Sequence, residues 1–237
     1  MTLTGKAKLA GIIGWPVTHS LSPVLHGHWL AEYGIDGAMV PLAARREDFA
    51  AVIDGVRRAG FKGVNVTVPH KEAAFALAHR ADEAAKLAGA ANLLVFEANG
   101  SIWARNTDTF GLAESIREKL RPNYVSGKSV VVLGAGGAAR GVVATMKTLG
   151  ATPIHILNRD IDRARNLAKH LSETGSKTEL IPGTLSDWSN AAKDAWLVVN
   201  STSAGMGSNP PLEIDLAALP KSAAVCDIVY NPLKQNC

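Results

Sequence analysis

The sequence predicts an α/β protein of two domains, each a layer of mostly parallel strands covered by helices, with a cleft between them. Short apolar runs alternate with helical patterns along the chain, the order that parallel-sheet units require. One run, Ser129 to Arg140 (SVVVLGAGGAAR), passes abruptly from small β-branched residues into glycines and then into a helix-compatible segment. The 237 residues are long enough for two small domains or one large one, and a helix from Thr109 to Leu120, closed by Pro122, reads as the crossing from a domain at 1–108 to one at 109–237.

In the first domain, LAGIIGW, GAMVPL and GVNVTV read as strands separated by helices from Ser22 to Tyr33 and from Glu47 to Ala59. An alanine-rich helical region, Lys71 to Ala88, comes next. ANLLVFE and SIWARN, joined by Asn99 and Gly100, read as an antiparallel hairpin. In the second domain the strand of SVVVL is followed by PIHILN, TELIPG, AWLVVNST and AAVCDIVY, with helices between the earlier ones.

Composition excludes several classes. The net charge is +4, but basic residues occur at most in pairs, Arg45 with Arg46 and Arg57 with Arg58. That pattern suits small anions better than a nucleic acid. Cys226 and Cys237 cannot build a disulfide framework, and no signal-like core or membrane-length apolar stretch is present, so a reducing cytoplasmic setting is expected. The seven histidines are scattered, and His26 with His28 lack metal-pair spacing, so no metal is assigned.

Six stretches carry candidate chemistry. Gly134, Gly136 and Ala139 fit the dinucleotide fingerprint: a tight turn, a backbone able to approach pyrophosphate, and a small residue for close helix packing. In HSLSP, Ser22 can be a simple helix cap before Pro23, or Ser20 and Ser22 can hold a carboxylate at a helix N-terminus. In NVTVPHK, Asn65 and Thr67 share one strand face, which suggests a strand end opening into a site; Lys71 beyond it is either solvated or a proton donor. In RNTDTFG, Thr107 or Asp108 can cap the next helix, or Asp108 can point into the cleft. In LNRDIDR, Asn158 and Arg159 stand where an NAD site shows an acid, and arginine can pair with a 2′-phosphate, so NADP is favoured; Asp160 and Asp162 are helix-start acids that can blunt that positive field. The loop NSTSAGM, Asn200 to Met206, is a plain turn or faces a ligand.

Taken in order, HSLSP, NVTVPHK, AGAAN, NTD, GAGGAAR, NR, NSTSAGM and DIVYNP resemble shikimate dehydrogenases over almost the whole chain. The resemblance implies an N-terminal substrate-binding domain and a Rossmann-like NADP-binding domain. It implies reversible, NADPH-dependent reduction of 3-dehydroshikimate to shikimate, in aromatic amino-acid precursor biosynthesis, by a monomer or homodimer. Carried over by motif, Ser20 and Ser22 hold the substrate carboxylate; Asn65, Thr67, Asn92 and Tyr230 contact its hydroxyls; Lys71 and Asp108 form the catalytic pair. Gly134, Ala135, Gly136, Gly137 and Ala138 cradle pyrophosphate, Asn158, Arg159 and Arg163 surround the adenosine phosphate, and Glu83, Thr202 and Ile228 fall close to the cofactor. Two departures stand out: Asp160 occupies a position commonly held by Thr, and the chain stops five residues after Pro232, where family members continue through a glycine-containing segment and further helices. A dehydrogenase accepting quinate or NAD, or a catalytically weak nucleotide-binding relic, is the alternative expectation.

Overall fold

A computed structural model describes residues 3–120, 125–173, 177–207 and 209–229. The chain divides into two compact units, Met1–Thr107 and Asp108–Cys237.

The first unit runs β1 (Lys8–Gly14), α1 (Ser22–Glu32), β2 (Gly37–Ala43), α2 (Phe49–Arg58), β3 (Gly63–Val66), α3 (Lys71–Leu77), β4 (Arg80–Ala81), α4 (Glu83–Ala88), β5 (Leu93–Phe96) and β6 (Ile102–Arg105). Its six-stranded sheet has the order β2-β1-β3-β5-β6-β4. β1 is parallel to β2 and β3, whereas β5 is antiparallel to β3 and β6. The reversal at β6 follows from the hairpin at Asn99 and Gly100, where Gly100 has φ +82° and Ser101 N–H donates to the Asn99 side chain at 2.9 Å. The expected helical region from Lys71 to Ala88 is interrupted. His79 N–H donates to Ile102 O and Asp82 N–H to Ala104 O, at 2.9 and 3.0 Å, so β4 joins the sheet edge beside β6. Sheet pairing there outweighs the helix preference of the alanines.

Ile13, Phe49, Ile53, Val64, Val66, Leu94 and Ile102 form the core of this unit. α1 takes little part in it. None of its residues is fully buried, and Val24 and the flanking Tyr33 are 72% and 71% exposed.

The second unit runs α5 (Asp108–Leu120), β7 (Val130–Leu133), α6 (Gly137–Thr148), β8 (Ile154–Leu157), α7 (Ile161–Ser172), β9 (Leu180–Gly183), α8 (Trp188–Ala192), β10 (Leu197–Asn200) and β11 (Ala224–Asp227). Pro122, expected to close α5, lies outside the described residues. The five strands are all parallel, in the order β11-β10-β7-β8-β9. The order reverses between β7 and β10, which is where an open parallel sheet leaves a ligand crevice beyond its strand ends. β7 and β10 are buried at every position, as largely apolar strands covered on both faces are. Among the described residues no helix is long and apolar enough to cross a membrane.

The join between β3 and β5 has no room for a side chain at Gly63. A Cβ there would lie 2.4 Å from Leu94 O and 3.3 Å from Val95 Cα. Gly63→Ala is therefore expected to lower stability by about 1–3 kcal/mol, the usual cost of overpacking. Urea unfolding measures it; an unchanged midpoint would show that the two strands can part without loss.

Candidate active site

Strand direction gathers several of the candidate residues at one edge of the first unit's sheet. β1 and β3 end there, antiparallel β5 begins there, and β6 ends there, as the pairings Ile13 with Val66, Asn65 with Leu93, and Leu93 with Arg105 require. HSLSP, NVTVPHK, Asn92 and Asn106–Thr107 consequently leave or enter the sheet at one edge.

Ser22 is not a helix cap. It is the first residue of α1, Leu21 precedes it as N-cap, and no side chain caps the helix. Ser20 Oγ accepts the Ser22 N–H at 3.3 Å, which sets the two serines side by side. Gly14 ends β1 against Thr67, whose Cγ2 would lie 2.4 Å from a Cβ at position 14. Asn65 is half-buried, with Nδ2 3.5 Å from His26 Nε2.

Asn92 is held by Thr107, the residue before Asp108. Asn92 Nδ2 donates to Thr107 Oγ1 and Thr107 N–H donates to Asn92 Oδ1, both at 2.9 Å. Thr107 is thereby tied to a predicted substrate residue. Asn106, buried, donates to Ala90 O at 2.8 Å, and its own N–H donates to Asp82 Oδ1 at 3.3 Å. Asp82 also caps α4 through Ala85 N–H at 2.8 Å. Glu83, the first residue of α4, is exposed and ion-paired with Lys86 at 2.7 Å.

Lys71 opens α3. Its predecessor His70 is 1% exposed, donates from Nε2 to Ala44 O at 2.8 Å and stacks on Phe49 with ring centroids 4.6 Å apart. Lys71 belongs to the first unit and Asp108, the first residue of α5, to the second. α5 lies against α6: Thr145 Oγ1 donates to Thr109 O at 3.2 Å, and a Cβ on Gly141 would sit 3.8 Å from Asp108 Cβ.

In the second unit, the glycine turn follows β7. Gly134 has φ +109°, and a Cβ there would meet Ser201 Oγ at 2.9 Å. Gly136 is the N-cap of α6 and makes no side-chain cap bond. The N-terminus of this twelve-residue helix, with Gly137 and Ala138 in its first turn, therefore presents backbone N–H groups that no side chain caps. Ala139 is fully buried, filling the close-packing position beside half-exposed Ala138 and buried Ala135.

At the end of β8, Asn158 Nδ2 donates to Asp160 O at 2.8 Å. Asp160, exposed, caps α7, accepting from Asp162 N–H at 3.0 Å and Arg163 N–H at 3.4 Å. The Arg163 guanidinium lies beside the turn, 3.7 Å from where a Cβ of Gly136 would stand, and Arg159 is exposed. Thr202 Oγ1 donates to Asn200 Oδ1 at 2.8 Å and accepts from Ala204 N–H at 3.1 Å, so its hydroxyl is committed within the loop. Asn200 Nδ2 donates to Asp227 Oδ2 at 3.1 Å, and Ile228 N–H donates to Asn200 O at 3.2 Å. Asn200 and Asp227, together with His26, His70, Asp82 and Asn106, are organising residues that the sequence reading did not single out for these parts. The polar residues ending the apolar runs of β10 and β11 were the available signal. Tyr230 lies outside the described residues.

Comparison with known proteins agrees with this division of labour. Residues 12–94 match the family described as shikimate dehydrogenase substrate binding domain, and residues 112–208 that described as shikimate / quinate 5-dehydrogenase. The shikimate dehydrogenase (NADP(+)) of Rhodospirillum rubrum is 47% identical over 98% of this chain, which spans 82% of that protein. The crystal structure of shikimate dehydrogenase from Aquifex aeolicus is similar with a TM-score of 0.84 at 30% identity, over 97% of this chain and 81% of that one. A shikimate 5-dehydrogenase from Thermus thermophilus, solved in complex with NADP(H) and shikimate, gives 0.75 at 31% identity, over 95% and 80%.

Burial lowers the pKa of His26, His70 and His155; at His70 the charge of Arg46 adds to it against the opposing bond to Ala44, and at His155 Glu179 opposes it. A depressed histidine favours the neutral ring in the fold, so its contribution is complete above the unfolded value and is lost as pH falls through the folded one. Unfolding free energy is therefore expected to decline as pH drops below about 6.5. Urea titrations across that window test it, and stability that stays level would contradict it.

Proposed function

The chain belongs to the shikimate dehydrogenase family, and we propose that it reduces 3-dehydroshikimate to shikimate with NADPH, Lys71 and Asp108 acting as the catalytic pair. The observation that carries this reading is the edge of the first unit, where strand direction gathers Ser20, Ser22, Asn65, Thr67, Lys71 and Asn92. Two hydroxyls at the uncapped start of α1 suit a carboxylate. The amides of Asn65 and Asn92 and the hydroxyl of Thr67 suit a polyhydroxylated ring, each able to donate and accept. Tyr230 joins them by motif.

The second unit fits the dinucleotide on grounds of its own. At Gly134 a side chain would crowd Ser201, and α6 opens without a side-chain cap. Its N–H groups suit pyrophosphate, with Ala135, Gly137 and Ala138 bringing the backbone close, and Arg159, Arg163 and Asn158 suit a 2′-phosphate. Glu83, Thr202 and Ile228 are assigned to the cofactor by motif; for Thr202 the contact would come from the backbone or methyl group, since the hydroxyl is engaged.

When bound, NADPH would supply the hydride that reduces carbon 3 of the substrate. Negative charge then grows on the former carbonyl oxygen, and Lys71 supplies the proton that quenches it. Asp108 is assigned as the partner of Lys71 by motif, and the ammonium is restored from solvent after each turnover. The charge pattern and cysteine usage support action in the cytoplasm.

Lys71→Ala is expected to lower kcat by about 10²–10⁴, the scale of losing a general acid, read at 340 nm with shikimate and NADP. Near-normal turnover would remove Lys71 from the mechanism. Arg159→Ala is expected to raise KM for NADP about tenfold, as loss of a charge-assisted bond does, while leaving that for NAD unchanged. Equal effects on both cofactors would show that Arg159 does not read the 2′-phosphate. A second reading, acceptance of quinate or NAD, is favoured by the family description and by the Asp160 carboxylate beside the phosphate-binding arginines. Comparing rates with both acids and both cofactors decides it.

A further inference from the structure

We infer that His70 is a positioning residue for Lys71: its buried imidazole locks the turn from which the proton donor is presented. This rests on the reading of Lys71 as that donor.

α3 has only seven residues, and no side-chain cap bond starts it, so it has little rigidity of its own. Its first residue is held from two sides. Downstream, Lys71 O accepts the Ala91 N–H at 2.8 Å. Upstream, His70 N–H donates to Thr67 O at 3.0 Å, His70 O accepts the Ala74 N–H at 2.8 Å, and the imidazole reaches sideways out of the turn. There it joins two other elements. Nε2 lies 2.8 Å from the carbonyl of Ala44, just beyond β2, and the ring stacks on Phe49, the first residue of α2, at an interplanar angle of 18°.

Ala44 is 2% exposed. A carbonyl can only accept, so Nε2 carries the proton, and that bond satisfies a carbonyl that would otherwise depend on backbone rearrangement. A ring that also donates on its edge is therefore suited to this place in a way that phenylalanine, which stacks but cannot donate, and glutamine, which donates but cannot stack, are not. The imidazole itself is buried and has no direct role with substrate. It acts through Lys71: a long side chain magnifies any tilt of its first backbone atoms, and a displacement of about 1 Å at a reacting group can cost about 10² in rate.

The test is a cycle of four proteins: wild type, His70→Phe, Lys71→Ala and the double variant. Each is assayed for kcat and KM and, without cofactor, for shikimate binding by calorimetry, at a temperature where circular dichroism shows it folded. His70→Phe is expected to lower kcat about 10- to 100-fold with KM and shikimate affinity within about twofold, and to add no further loss to Lys71→Ala, because groups acting through one another are not additive. His70→Gln, which keeps a donor, should recover part of the loss, and it replaces His70→Phe in the cycle if that variant does not fold.

Wild-type kcat in His70→Phe, losses that add in the double variant, or a fall confined to substrate affinity would each overturn the inference. A silent Lys71→Ala would instead overturn the assignment of the donor on which it rests.

Discussion

The antiparallel pairing of β3 with β5 governs the first unit, because it decides which residues can meet. Had the chain continued in parallel crossovers, Asn92 would stand at the far edge of the sheet from Asn65 and Lys71. Instead β5 starts where β3 ends, with Asn65 opposite Leu93, and β6 returns to the same edge carrying Asn106 and Thr107. Gly63 permits the approach, and the Asn99–Gly100 turn makes the return short. The hydrogen bonds between Asn92 and Thr107 then join the beginning of one strand to the end of the next. The edge is thus a product of strand polarity before it is a product of side-chain chemistry.

The two helices that start beside the crevice of the second unit solve the same problem oppositely. α6 opens on glycine and leaves its N–H groups to an incoming anion, whereas α7 opens on Asp160, whose carboxylate already accepts two of them. Both ends attract negative charge. Only α6 is left with that demand unmet by a side chain. At the start of α7 the neighbouring cations are Arg159 and Arg163, beside a carboxylate of opposite sign.

Local signals were the legible ones. The glycine turn could be read because its spacing, its strand and its helix are contiguous, and the hairpin at Asn99 and Gly100 for the same reason. The split of the alanine-rich region could not, since β4 exists only through pairing with β6, twenty-odd residues away. Nor could the cap at Ser22, where one step in the helix start moves the residue from cap to first turn. Thr202 was visible as a polar residue at a strand end, but the use of its hydroxyl by Asn200 and Ala204 depends on how the loop folds back. His70 was hidden for a related reason: its partners Ala44 and Phe49 are distant in sequence and neither suggests a histidine.

α1 combines two properties that pull apart. The serines at its start are among the residues that must be well placed, yet no residue of the helix is fully buried, and Val24, Leu25, Trp29 and Tyr33 are exposed. Packing is what gives a helix of eleven residues most of its persistence, so α1 belongs to the low-protection end of the hydrogen-exchange hierarchy. Its amides would open far more often than those of buried β7 or β10. An anion seated against its first turn would then do more than bind: it would slow that opening, and the exchange rates of the whole helix would report occupancy of its N-terminus.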